Sequence, residues 1–186
     1  MHPRTLLAAV LPFSSALLAC AQVHESAHTT VRDGPVDRFI GAWHLDSSKI
    51  SSTGGGNGAG RGAGGGNGGG LGMGPSPDVL VIRAGSGNLT VDQLRGESNT
   101  RLTFALDGRR VTNTIGAADN ARQGTYVSKW AGDTLITTIA ARAPPGGKDT
   151  VTYRDVRYID STGSLVVEIS IPARVNSRRA VYTKAQ

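Results

Sequence analysis

Arg101-Leu102-Thr103-Phe104-Ala105-Leu106-Asp107-Gly108-Arg109-Arg110-Val111-Thr112-Asn113-Thr114-Ile115 is the stretch that decides the fold. Leu102, Phe104 and Leu106 alternate with other residues, the period of a strand with one buried face. Asp107-Gly108 signals a tight hairpin turn, because glycine takes the positive φ such turns need. Val111 and Ile115 then return on one face. The pattern repeats outward in both directions. Residues 79–83 and 89–94 read as strands around Gly85-Ser86-Gly87. Residues 124–130, 134–142, 149–159, 165–171 and 178–184 read the same way, with Gly- or Pro-containing breaks between them. Residues 39–45 alternate too, with Phe39, Gly41, Trp43 and Leu45 on one face and Ile40, Ala42 and His44 on the other. Trp43 reads as a core residue and His44 as exposed.

No stretch carries a convincing apolar 3.6-residue period. The expected fold is therefore all-β: a meander of about ten antiparallel strands closed into a barrel. Closure is favoured because an open sheet of this size would leave two unprotected edges. A two-sheet sandwich is the alternative. A barrel spanning a membrane is disfavoured, since one face of most strands is Thr, Arg, Asp or Ser and nine aromatics are few for two girdles.

The chain has 186 residues, enough for one domain. Residues 1–21 read as a secretory signal. His2 and Arg4 precede an apolar run that is too short for a membrane anchor. Leu17-Leu18-Ala19-Cys20 resembles a bacterial lipobox, which would leave Cys20 lipidated at the mature N-terminus. Ala19-Cys20-Ala21 also fits ordinary signal cleavage. The lipobox is preferred because the only Cys stands where it is needed. The expected location is across the cytoplasmic membrane, in the periplasm or on the outer membrane, held by a lipid anchor. Residues 22–37 read as a tether and 38–186 as the barrel domain. Within it, 54–74 are almost pure glycine, with little side chain to bury, and read as a flexible insertion.

Candidate chemistry is sparse. His24-Glu25-Ser26-Ala27-His28 matches H-E-x-x-H, the zinc-hydrolase pattern with two His one helical turn apart. That mechanism needs a buried helical face and a third ligand, and the surrounding polar residues provide neither. It ranks third among the functional readings, and no metal or cofactor is expected. The Gly tract lacks the Gly-Lys-Ser/Thr ending of a phosphate loop. The formal net charge is +6, and Arg101, Arg109, Arg110, Arg154 and Arg157 are candidates for a basic stripe on the barrel wall. Secretion argues against a nucleic-acid partner. Asp155 and Glu168 fall mid-strand without an assigned role.

The first and last strands together resemble those of fatty-acid-binding proteins and lipocalins, the calycin group. Phe39-Ile40-Gly41-Ala42-Trp43 is similar to the family's opening F-x-G-x-W strand. Arg179-Ala180-Val181-Tyr182-Thr183-Lys184 is similar to its closing R-x-Y-x-K strand. The resemblance covers about 38–186 without the Gly tract. It implies a barrel with an interior ligand and a structural role for Trp43. There are departures. The family's helical lid is replaced by the Gly tract, and the Arg expected two residues before Tyr182 is Ala180. Arg178 lies one pleat further along the same face, so an Arg178–Tyr182 carboxylate clamp is conceivable, although Arg178 and Arg179 read first as solvated strand-end charges.

The leading expectation is a monomeric, non-catalytic barrel that binds a small hydrophobic or amphipathic ligand. Its candidate lining is Leu89, Val91, Leu102, Phe104, Val111, Leu165, Val167, Ile169 and Tyr182, with Arg178 at one end. The alternative is a barrel with a filled core that acts as an envelope structural or interaction module.

Overall fold

The computed structural model describes residues 36–53, 76–115, 121–142 and 149–186. A helical turn, α1 (Val36–Phe39), leads into β1 (Gly41–Leu45). A short 3-10 turn (Ser47–Lys49) and the three-residue β2 (Ser51–Thr53) follow. The remaining strands are β3 (Val79–Gly85), β4 (Asn88–Arg95), β5 (Ser98–Ala105), β6 (Arg110–Ile115), β7 (Arg122–Ala131), β8 (Thr134–Arg142), β9 (Thr150–Ile159), β10 (Leu165–Ile171) and β11 (Asn176–Lys184).

Every pairing is antiparallel. Ten strands form one continuous path, β5-β4-β3-β1-β11-β10-β9-β8-β7-β6, and β2 adds a short edge to β11. This is the expected meander, with the first and last strands paired: Trp43 lies opposite Lys184 and Leu45 opposite Tyr182. The path ends at β5 and β6, so the barrel is nearly closed with one seam.

The seam is bridged by a side chain. The Asn113 carboxamide on β6 accepts from the Thr103 N–H on β5 at 2.8 Å and donates to the Thr103 carbonyl at 2.8 Å. One amide thus imitates a rung of the missing ladder and satisfies backbone groups that the gap would otherwise orphan. Asn113 is itself buried. Asn113→Ala is expected to lower stability by about 1–3 kcal/mol, since it removes two buried hydrogen bonds. Faster hydrogen exchange at the Thr103 amide, with β3–β4 amides little changed, is the measurement that checks it.

Alternation builds the core as the sequence implies. Leu80, Ile82, Leu89, Val91, Leu102, Phe104, Tyr126, Leu135, Ile139, Tyr153, Leu165, Val167, Ala180 and Tyr182 all join one buried cluster. Such a cluster supplies the main driving force for folding. Trp43 is buried and His44 exposed, as expected.

Phe39 corrects the reading of the first strand. It closes α1 instead of lying on β1, and with Val36 it is buried over the end of the barrel. Val36, read as part of the 22–37 tether, thus packs in the core. The chain leaves the turn through Gly41, whose φ is +136°; a Cβ there would stand 2.9 Å from the Lys184 Cε. The positive φ is what calls for glycine here, since the end of the Lys184 side chain can swing aside. The Trp43 indole Nε1 donates to the Phe39 carbonyl at 2.8 Å, and Phe39 meets Trp130 edge to face.

On the outer wall, Asp92 is buried between two arginines. The Arg101 Nε donates to it at 2.6 Å, and Arg83 donates to its other oxygen. The Arg101 bond is the main reason its carboxyl is held down at about 2, with Arg83 adding to it. Val166 and Val181 pair across β10 and β11 and are also buried, although alternation turns them outward. The Asp46 N–H donates to the Val181 carbonyl at 2.9 Å, which ties the segment after β1 to that face.

Candidate functional site

The barrel interior holds a polar band within its apolar lining. Strand register creates it. Ser128 on β7 lies opposite Thr137 on β8, and Thr137 opposite Asp155 on β9. Asp155 faces Ile169 on β10, and Ile169 faces Arg178 on β11. Five strands thus place Ser128, Thr137, Asp155, Ile169 and Arg178 in one inward row. The next row carries Trp130, Leu135, Arg157, Val167 and Ala180.

Asp155 and Arg157 are two residues apart, so the pleat points both to the same side. Their side chains are 3% and 4% exposed, an ion pair withdrawn from water. The Arg157 Nε donates to the Asp155 Oδ1 at 2.9 Å, and its Nη2 to Oδ2 at 2.8 Å. Burial alone works against the Arg157 charge. The Coulomb field of Asp155 and these two bonds outweigh it, and the guanidinium's pKa is held above its ordinary value. The guanidinium carbon also lies 4.6 Å from the centroid of the Phe104 ring, which stacks edge to face on Tyr126.

Two buried polar atoms have no hydrogen-bond partner among the described residues: Arg157 Nη1 and the Tyr153 hydroxyl. The other interior polar groups are better served. The Ser128 and Thr137 hydroxyls share a bond of 2.9 Å. Burial pushes the Tyr182 phenol up to about 12, against opposing influences from Arg157 and Ser76. Burial, helped by Asp155, also raises the Tyr126 phenol. Both phenols are therefore neutral donors near neutral pH.

The residues expected to line the interior come together only in part. Leu102, Phe104, Val167 and Tyr182 are buried; Val111 and Ile169 are half-buried. Arg178 is also half-buried, not a fully solvated strand end. Burial lowers its pKa, against an opposing influence from Tyr182.

Arg157 does not belong to the proposed basic stripe: it points into the barrel instead of lying on the wall, while Arg101, Arg109, Arg110 and Arg154 are exposed. Arg101 is engaged by Asp92, and Arg109 by Asp107 and Asn88. Glu168, also mid-strand, faces outward and accepts from the Tyr158 hydroxyl at 2.9 Å. Reading only apolar alternation missed the polar band. The signal was present, since Val151, Tyr153, Asp155, Arg157 and Ile159 share one face of a single strand.

Cys20, the His24/Glu25/His28 motif, most of the tether and the glycine tract lie outside the described residues. Among the described residues no cluster of three metal-binding side chains occurs.

No family model and no curated protein matches the sequence. Solved structures do match the fold. One, titled "REP1-NXSQ fatty acid transporter", superposes with a TM-score of 0.54 at 14% identity, covering 81% of this chain and 98% of that one. A mutant of the fluorescent protein UnaG gives a TM-score of 0.50 at 19% identity, with 81% and 99% covered. The chain thus shares the barrel fold of these two structures.

Proposed function

We propose that this protein binds a small hydrophobic or amphipathic molecule inside the barrel, without catalysis. The observation that carries this reading is the unpartnered Arg157 Nη1, buried with the Tyr153 hydroxyl in an interior that, beyond the polar band, is lined by Leu, Val, Ile and aromatic side chains. A buried donor without a partner costs about 1–3 kcal/mol. A ligand that buries its chain against the apolar wall and offers an acceptor to Arg157 recovers that cost. Such sites are mostly apolar with a few placed polar groups. The likeness to a fatty acid transporter supports hydrophobic cargo.

Export and lipid anchoring through Cys20 complete the proposal; they rest on the leader sequence alone. Native mass spectrometry of the mature protein from its own envelope tests both parts. A stoichiometric hydrophobic adduct, lost in Val167→Arg with the fold retained, is expected. Its N-terminal peptide should carry a diacylglyceryl group on Cys20.

One observation favours a filled barrel instead. Trp43, Phe104, Tyr126, Tyr153 and Tyr182 are all almost wholly buried, and they occupy much interior volume. A clean unliganded mass, together with no uptake of neutral lipophilic dyes, selects that structural role.

A further inference from the structure

We infer that the interior site selects ligands with a neutral hydrogen-bond acceptor, such as an alcohol, ester or amide, over ligands with a carboxylate. This rests on the binding function proposed above and names its ligand class.

The geometry of one guanidinium carries it. A carboxylate is best held by two parallel N–H donors of arginine. On Arg157 that face is already taken, because Nε and Nη2 both bond the Asp155 carboxylate. The end-on fork, Nη1 with the second N–H of Nη2, is left, but the charge behind it is already balanced by Asp155. An anionic headgroup there would sit beside Asp155, in a region where water screens little. Like charges at such range disfavour ionisation of one partner. A neutral acceptor takes the same Nη1 hydrogen bond without that repulsion.

The remaining groups around the pair do not replace the lost cation. Tyr126 on β7 and Tyr182 on β11 are neutral phenols held above their ordinary pKa. Ser128 and Thr137 are hydroxyls, Phe104 on β5 presents a ring, and Tyr153 on β9 offers a hydroxyl. Arg178 on β11 is the one further cation in the row and is separated from Asp155 by Ile169. Arg122 at the start of β7 acts on Tyr126 from a distance. A carboxylate held at Arg178 is the competing arrangement.

The test is displacement of the neutral dye Nile red by lauryl alcohol and by lauric acid, which share a chain length. In wild-type protein at about pH 8, where the acid is ionised, the alcohol should displace the dye at least about tenfold more tightly, which is one decade in Kd. The acid should tighten as pH falls through its own ionisation, while the alcohol stays constant. Asp155→Asn frees the Arg157 charge and should shrink or invert the preference. If that variant does not fold, Asp155→Leu/Arg157→Met replaces the pair by apolar groups; there the alcohol should weaken several-fold while Nile red still binds.

Equal or tighter binding of the acid at about pH 8 overturns the inference but leaves the binding function standing. So does an unchanged preference in folded Asp155→Asn. Loss of acid binding in Arg178→Gln, with the alcohol unaffected, would place the carboxylate at Arg178 and also overturn it. Failure of Nile red and both lipids to bind removes the inference together with the binding function beneath it.

Discussion

Arg157→Leu is expected to destabilise the fold by about 3–5 kcal/mol, because it strands the Asp155 carboxylate in the barrel without its counter-ion. Asp155 is 3% exposed, so water cannot compensate. The asymmetry is the informative part. Asp155→Leu/Arg157→Met removes both charges and keeps the volume, and apolar replacement of a buried pair is often neutral or stabilising. The double variant should therefore regain most of what the single one loses. Urea unfolding of wild type, Asp155→Leu, Arg157→Met and the double variant gives the coupling directly. A double variant as unstable as Arg157→Leu would mean that the ion pair holds the barrel together. In that case the pair would not be a polar device kept in the interior at the expense of packing.

Trp43→Ala should be of similar size, about 3–5 kcal/mol, the usual range for emptying a large aromatic site. Three contacts end with the indole. It is 1% exposed in the core, its Nε1 holds the Phe39 carbonyl at 2.8 Å, and the Lys184 ammonium lies 5.4 Å from its ring centroid. Trp43→Phe keeps most of the packing but leaves the Phe39 carbonyl unbonded, so its cost should be roughly 1–2 kcal/mol. Thermal unfolding followed by near-ultraviolet circular dichroism separates the two. Loss of the Phe39–Trp130 ring signal in Trp43→Phe would show that this hydrogen bond, more than packing, fixes α1 over the barrel end.

Much of the architecture was legible because it depends on a period of two. In β4, β5 and β10 alternating apolar residues meet turns rich in Gly and Asp, and each was placed to within a few residues. Features that depend on long-range partners were not legible. Ser51–Thr53 has no apolar residue, and it is a strand only because β11 lies beside it. Phe39 fits a strand period equally well, and the indole bond to its carbonyl belongs to a helical turn instead. The seam between β5 and β6 gives no local sign, since Asn113 is an ordinary strand residue until Thr103 is opposite it. In the site, the apolar lining followed from alternation. Asp155 and Arg157 did not, because a charge on a strand is normally solvated and only mutual pairing lets both turn inward. Arg178 fell between the two cases, half-buried beside Tyr182.

The pairing of β1 with β11 also sets an order of events during synthesis. Trp43 waits for Lys184, and Leu45 for Tyr182, so the ring cannot close until β11 has left the ribosome. Contacts this distant in sequence slow folding. In the interval, the flank of β1 that will receive β11 and the flank of β10 on the same side both expose unpaired backbone, the kind of edge that recruits other chains. A nascent or truncated product lacking residues 176–184 is therefore a template for aggregation. The last nine residues of the sheet act as its stopper, and a holdase that keeps the chain extended until they arrive protects its yield.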